Sequence, residues 1–302
     1  MVEYAPERSV TLRALDDDRM TVAYAKAYAM PATSVAALSA RYRRISAALQ
    51  RSDWPVSAPT SLGSVADPRV LLLEPMPGRR WGDSPNADLV QTLRRLGAAI
   101  ATLHDSTDAQ AVGGIRDSAD AHGWLPRFAR LDVARVVHSA QLVAVARPDV
   151  APHALRLAHL LSGGPVDAGP PVLLHGDCHP KNILLDGDQV ALLDLDQSGL
   201  GPAAADLGSL LARLRHGAVL GEHSEGGGDG AGETGELASA FLTGYAEVRS
   251  LPSAGCLRWH TAAALVAERT LRAVNRVHLP ALERLGDLLD AAERSLRTGG
   301  TP

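Results

Sequence analysis

The chain has 302 residues, 46% of them hydrophobic, and a formal net charge of −4. That is long and apolar enough to bury a large core, as one large domain or two lobes, and it excludes a disordered chain. It carries no basic block and no apolar run near the ~18 residues of a membrane span, so neither nucleic acid nor membrane is an expected partner.

The first residues, Met-Val-Glu-Tyr-Ala-Pro-Glu-Arg, lack the basic and apolar regions of a secretory signal. Val2-Glu3-Tyr4 reads as a first strand with the turn Ala5-Pro6-Glu7-Arg8. Ser9 to Leu15 and Met20 to Tyr28 then read as a hairpin, turning at Asp16-Asp17-Asp18-Arg19. Thr33 or Ser34 is placed to cap a helix running to about Arg51, with Val35, Leu38, Tyr42, Ile45 and Leu49 on one face. Trp54 to Val65, rich in Pro and Ser, reads as loop, and Val70 to Leu73 as an apolar strand. From Gly78 the pattern turns helical: Ala87 to His104, Leu131 to Ala146, Ala151 to Leu161, a helix from Asp206 to about Arg215, then Ala254 to Val277 and Pro280 to Leu296. Gly221 to Gly235, Gly-rich and acidic, reads as a linker between helices, or as a loop shielding a cationic substrate. A β-rich beginning followed by a helical remainder makes the chain α+β.

Two details of composition bear on chemistry. Lys26 and Lys181 are the only lysines among 30 basic residues. A chain that otherwise uses arginine keeps lysine where a compact ammonium does what a guanidinium cannot; the bland alternative is two surface residues left by drift. The only cysteines, Cys178 and Cys256, read as free thiols of a reducing cytoplasm, because Cys178 lies in a polar loop that a disulfide would constrain.

That polar loop is the most specific signal. Residues 175–182, His-Gly-Asp-Cys-His-Pro-Lys-Asn, lie between the apolar runs Val172-Leu173-Leu174 and Ile183-Leu184-Leu185, and a further apolar strand ends on Asp194. Phosphoryl transfer from a nucleotide uses such a layout. One carboxylate, Asp177, faces the attacking hydroxyl, while an amide and a second carboxylate, Asn182 and Asp194, hold magnesium over the phosphates. His175 and His179 fit loop-fixing hydrogen bonds better than magnesium ligation, since that hard cation prefers oxygen.

The set His175, Gly176, Asp177, His179 and Asn182 with Asp194 resembles the aminoglycoside phosphotransferase / choline kinase-type family, small-molecule relatives of protein kinases. Gly201 to Leu207, with Asp206, resembles the family's later G-x-x-x-x-D-L, in which Asp206 holds the loop in place. The resemblance implies a two-lobed protein-kinase-like fold: a small nucleotide-binding lobe over residues 1–77 with its hinge near 74–77, and a helical lobe over 78–302. It implies Lys26 and Lys181 near the nucleotide, the backbone of Glu74 and Met76 against its base, and Mg2+ with ATP or GTP as co-substrate. Pro75 and Pro77 stiffen that hinge and donate no N–H. The family pattern is broken twice. No glycine-rich loop precedes the hairpin, and the helix from Thr33 holds no acid to pair with Lys26, so either Lys26 contacts phosphate without that partner or an acid from elsewhere, such as Asp53, supplies it.

The implied reaction is phosphorylation of a small-molecule hydroxyl, on an antibiotic such as an aminoglycoside or on a sugar. The alternative is a weak or inactive kinase-like nucleotide-binding protein. An aminoglycoside calls for an acidic cleft, with candidates Asp196, Glu222, Glu225, Asp229, Glu233 and Glu268; Asp196 and Glu268 are the substrate residues retained. Choline calls for an aromatic cage, and Trp124, Trp259 and Tyr245 are among the few candidates. The expected protein is cytoplasmic, a monomer or homodimer, binding only nucleotide and small-molecule substrate.

Overall fold

Alternating small and bulky residues in Ser9–Leu15 (β2) and Thr21–Tyr28 (β3) build an antiparallel hairpin, closed by the Met20 N–H on Asp16 Oδ1 at 2.8 Å and the Asp16 N–H on the Met20 carbonyl at 3.0 Å. A computed structural model describes residues 3–5, 8–30, 32–81, 88–106, 131–221 and 230–297. Glu3–Ala5 (β1) joins one edge of the hairpin; Val70–Leu73 (β6) and then Ser61–Val65 (β5) join the other, giving the order β1-β2-β3-β6-β5. Lys26 therefore sits on the central strand, opposite Thr11 on one side and Leu71 on the other. Side chains two apart share a face, so Lys26 and Tyr28 point the same way, and both are buried.

The helix Ala32–Leu49 packs on β5 and β6, burying Val35, Leu38, Tyr42, Ile45 and Leu49 at helical spacing. The loop expected over Trp54 to Val65 is corrected. It holds β5, which forms a hairpin with the next strand β6, and the short strand Val56–Ser57 (β4), whose partner lies far along the chain; the Ser- and Pro-rich sequence advertises neither. β4 runs parallel to Gln189–Leu192 (β10), which pairs with Ile183–Asp186 (β9), and Arg79–Arg80 (β7) closes the edge in the order β4-β10-β9-β7. Val172–Leu174 (β8) pairs with Gly199–Gly201 (β11).

Helices Leu89–Asp105 and Gly230–Val248 touch backbone to backbone. A Cβ on Gly97 would lie 2.0 Å from the Phe241 carbonyl oxygen, and one on Gly244 1.8 Å from that of Arg94. That contact fixes Leu93, Leu96, Ile100, Leu103, Phe241 and Tyr245 in the main core. The linker expected over 221–235 is corrected in part: the helix begins at Gly230, and residues 222–229, with Glu222, Glu225 and Asp229, lie outside the described residues.

A second core joins Val133–Ala146 and Ala151–Leu161 to the C-terminal helices. There a single helix from 254 to 277 was expected. Instead Ala254–Ala264 widens into a π-helical turn, Leu265–Thr270, before Leu271–Asn275. Ala204–Leu220 packs across both this turn and Ala254–Ala264. Among the described residues no helix is long and apolar enough to cross a membrane.

Candidate active site

Residues 175–182 follow β8 and lead into β9, so both ends of the loop are anchored in sheets. Gly176 is left-handed at φ +81°, and a Cβ there would lie 2.3 Å from the Gln197 carbonyl oxygen, so only glycine fits. The buried Asp206 carboxylate accepts the His175 N–H at 2.6 Å and the Gly176 N–H at 2.9 Å, and meets His104 Nε2 at 3.1 Å. His104 Nδ1 is in turn 3.0 Å from the Tyr245 hydroxyl. Burial alone would raise the Asp206 pKa; the bonds to His104 and the backbone outweigh it and hold the carboxyl below its ordinary value.

The histidines act locally. His175 Nδ1 accepts the Asp177 N–H at 3.3 Å and His179 Nδ1 the Lys181 N–H at 3.1 Å. The Asn182 amide donates to the Asp177 carbonyl at 3.0 Å, and the Leu193 N–H donates to the Asn182 carbonyl at 2.7 Å. The latter bond ties the loop to Asp194, which is itself left-handed at φ +56° and ψ +58°. A non-glycine residue in that region is a local strain of the kind found at functional sites.

Lys26 reaches Asp194 Oδ1 at 2.8 Å and Asp196 Oδ2 at 2.6 Å. Tyr28 donates to Asp196 at 3.0 Å and Tyr42 donates to Asp196 Oδ1, also at 3.0 Å, while Arg41 donates to the Ser198 carbonyl at 2.8 Å. Burial pulls the Lys26 ammonium down, but Asp196 and Asp194 outweigh it and hold the pKa above its ordinary value. The acid that answers Lys26 is thus Asp196, with Asp194; Asp53, the residue suggested for that part, is exposed. Tyr42 was legible only as one apolar position of a helix face, and nothing in the sequence pointed to its hydroxyl.

Asp194 Oδ2 and Asn182 Oδ1 make no hydrogen bond among the described residues. Two hard oxygens on segments tied by the Leu193–Asn182 bond suit a magnesium ion.

A family model described as "Phosphotransferase enzyme family" matches residues 30–251, well over half of the chain. The chain belongs to this phosphotransferase family. Solved structures show the same fold. A spectinomycin phosphotransferase is 13% identical, with TM-score 0.58 over 98% of this chain and 92% of that one. A macrolide 2′-phosphotransferase from Brachybacterium faecium is 16% identical, with TM-score 0.54 over 98% and 90%. A choline/ethanolamine kinase family protein from Mesorhizobium loti is 15% identical, with TM-score 0.53 over 97% and 90%. A comparison with curated protein sequences gave no match.

Within this phosphotransferase the remaining expected residues are spread out. The Glu74 N–H is bonded to the Thr60 carbonyl at 3.1 Å and its carboxylate accepts the Thr60 N–H at 2.9 Å. The Glu74 carbonyl and both backbone groups of Met76 make no hydrogen bond among the described residues. The Lys181 side chain is exposed. Asp196 is committed to Lys26 and two tyrosines. Glu268 does not face an open acidic cleft: it is buried on the π-helical turn, accepting from Ser209 Oγ at 2.8 Å with Arg269 at 3.4 Å. Trp259 and Tyr245 are buried in the cores, which removes them from any aromatic cage. Trp124, and the Pro6-Glu7 turn where a glycine-rich loop was missed, lie outside the described residues.

Proposed function

We propose that the protein transfers the γ-phosphoryl group of ATP or GTP to a hydroxyl of a small molecule. The observation that carries this reading is the convergence of Lys26 from β3, Asp194 from the turn after β10, and the Asp177–Asn182 loop at one place. Asp177 orients the acceptor hydroxyl and takes its proton as the oxygen attacks. A bond forms between that oxygen and the γ-phosphorus, and the bond from the γ-phosphorus to the β–γ bridging oxygen breaks, leaving ADP or GDP. Most of the rate enhancement in such a site comes from positioning and fixed charge. Mg2+ held by Asn182 and Asp194 would neutralise phosphate charge.

Lys26 faces the α/β-phosphates, and Asp196 takes the part that a helix acid plays in protein kinases. Tyr28 and Tyr42 keep Asp196 in place by holding both of its oxygens. The base of the nucleotide meets the Glu74 carbonyl and the Met76 N–H at the junction of residues 1–77 with 78–302. Lys181, exposed at the loop, is placed to meet the terminal phosphates as they enter. Of the acceptors that the sequence suggests, a sugar-like hydroxyl fits better than an aminoglycoside, because the described residues around Asp177 are rich in arginine. A nucleotide-binding protein without turnover is the second reading, favoured by one observation: two carboxylates already hold Lys26.

Release of ADP or GDP with magnesium tests the proposal, over hydroxylated antibiotics, sugars, sugar acids and amino alcohols, with Asp177→Asn alongside. Turnover of one acceptor class that is lost in the variant supports it. Nucleotide binding without turnover of any class leaves the second reading.

A further inference from the structure

The helix Ala204–Leu220 places Ser209, Arg213 and His216 at spacings of four and three, which is one face. The π-helical turn packs against this helix and carries Glu268 and Arg269, and Arg272 follows one turn later. The Ser209–Glu268 hydrogen bond of 2.8 Å pins the two elements together. π-Helical turns are rare and recur at functional sites, where they re-aim side chains that a regular helix would place elsewhere.

The polar groups gathered here are not satisfied. Arg269 is buried to 7% exposure, yet its Nε has no partner, and neither have Arg213 Nε and Glu268 Oε1. Among the described residues the side chains of Arg213 and Arg272 make no hydrogen bond or ion pair; the charge of Asp177 acts on both without touching either. Burial first, then Arg269, lowers the Arg213 pKa to about 9. Burial first, then Arg213 and Arg269, lowers that of His179 to about 3, so this neighbour adds no charge of its own at neutral pH.

Unpaired, partly desolvated guanidinium groups are costly to hold, and their planar N–H pairs match the oxygens of a carboxylate or phosphate. We infer, resting on the phosphotransferase reading, that the acceptor is an anionic hydroxyl compound, a sugar acid, hydroxy acid or sugar phosphate. Its carboxylate or phosphate lies against Arg213, Arg269 and Arg272 while its hydroxyl meets Asp177. Lys26 meets the nucleotide from the strand side, so the two anions are divided between two sets of cations. A polycationic acceptor would face the same arginines and be repelled.

Two experiments test this separately from the reading beneath it. The first is calorimetric titration of the protein with sulfate and with gluconate, in the presence of Mg-ADP. Saturable binding that weakens about ten- to a hundred-fold in Arg213→Gln and in the exposed Arg272→Gln is expected, from the loss of charge-assisted hydrogen bonds. No binding, or binding that both variants keep, overturns the inference, as does a loss of Mg-ADP affinity in the variants with anion binding unchanged. The second compares turnover of acceptors matched in skeleton, with and without an anionic group: gluconate against glucitol, glycerate against glycerol, glucose 6-phosphate against glucose. The anionic member should have the higher kcat/KM, with the gain falling in Arg272→Gln through KM rather than kcat. Preference for neutral members sinks the inference and leaves the kinase standing. Failure to bind Mg-ADP sinks the kinase reading, while the sulfate titration still reports on the arginines.

Discussion

Charge is arranged in opposite ways on the two sides of the Asp177–Asp194 axis. On the strand side Lys26 is answered by two carboxylates, and Asp196 by an ammonium and two tyrosine hydroxyls. On the helical side Arg213 and Arg272 have no partner among the described residues, and Arg269 has only a 3.4 Å contact with Glu268. Satisfied networks fix geometry before a ligand arrives, whereas unsatisfied ones keep an attraction in reserve for it. The strand side therefore behaves as pre-set machinery and the helical side as a receptor. The nucleotide, common to this class of reaction, would meet the first, and the acceptor, which differs between enzymes, the second.

The sharpest way to break this contrast is at its centre. Asp177→Asn keeps the shape and removes the base, so turnover should fall about 10²- to 10⁴-fold while the melting temperature and Mg-nucleotide affinity hold. A variant that retains more than a tenth of the activity would take proton removal away from Asp177.

Asp206→Ala tests whether the loop depends on its anchor. The change strands the N–H groups of His175 and Gly176 and leaves His104 without its carboxylate. Removing one partner of such a buried network costs about 3–5 kcal/mol, read by chemical denaturation. A loss under about 1 kcal/mol would show that strand pairing of β8 and β9 holds the loop without help.

Asp196→Ala strips the strand side of the group that answers its ammonium and its tyrosines. About 3 kcal/mol of stability should be lost, the low end for a broken buried pair, because Lys26 retains Asp194. The freed lysine would bind Asp194 alone and compete with the Mg2+ proposed there, so Mg-ATP affinity measured by calorimetry should fall as well. Asp196→Asn, which still accepts from the tyrosines, should recover part of the stability and less of the affinity. Equal recovery of both would reduce Asp196 to a packing role.

How much of this was legible in the sequence follows from distance along the chain. Residues 175–194 hold the loop, the β9–β10 hairpin, Asn182 and Asp194 within twenty positions, and local spacing was enough to predict that they lie together. Asp196 is 168 residues from Tyr28 and 154 from Tyr42, so no window of sequence could join them. The same reason hid β4, whose ladder comes from β10; β5 pairs with the next strand, β6, and was hidden instead by its own Ser- and Gly-rich sequence. Arg213, Arg269 and Arg272 read as ordinary polar positions of helices. Only the packing of Ala204–Leu220 on the π-helical turn, itself invisible in a periodicity that suggested one continuous helix, gathers them, with Arg213 and Arg272 within reach of the Asp177 charge.

The smallest expected effect concerns the footing of the receptor side. His260 lies on the helix that runs into the π-helical turn, edge-on to Trp259 at 4.9 Å, and it backs on to Gly208 of the helix that carries Arg213. Both ring nitrogens are buried without a partner, and burial lowers its pKa to about 4. In the unfolded chain the imidazole returns to about 6.5. Between those two values the unfolded state binds a proton that the folded state refuses, so stability rises with pH there and is lost as pH falls from about 6.5 towards about 4. Above that window the group contributes no pH dependence. For one buried imidazole the loss is on the order of 1–3 kcal/mol. Denaturation midpoints of the wild type and of His260→Leu at pH 7, 6, 5 and 4.5 would show it, with the wild type losing more stability than the variant. Parallel curves would mean that water reaches the ring when the protein is acidified. The receptor side would then rest on a looser support than the strand side, and its arginines would be free to settle against solvent rather than wait for an anion.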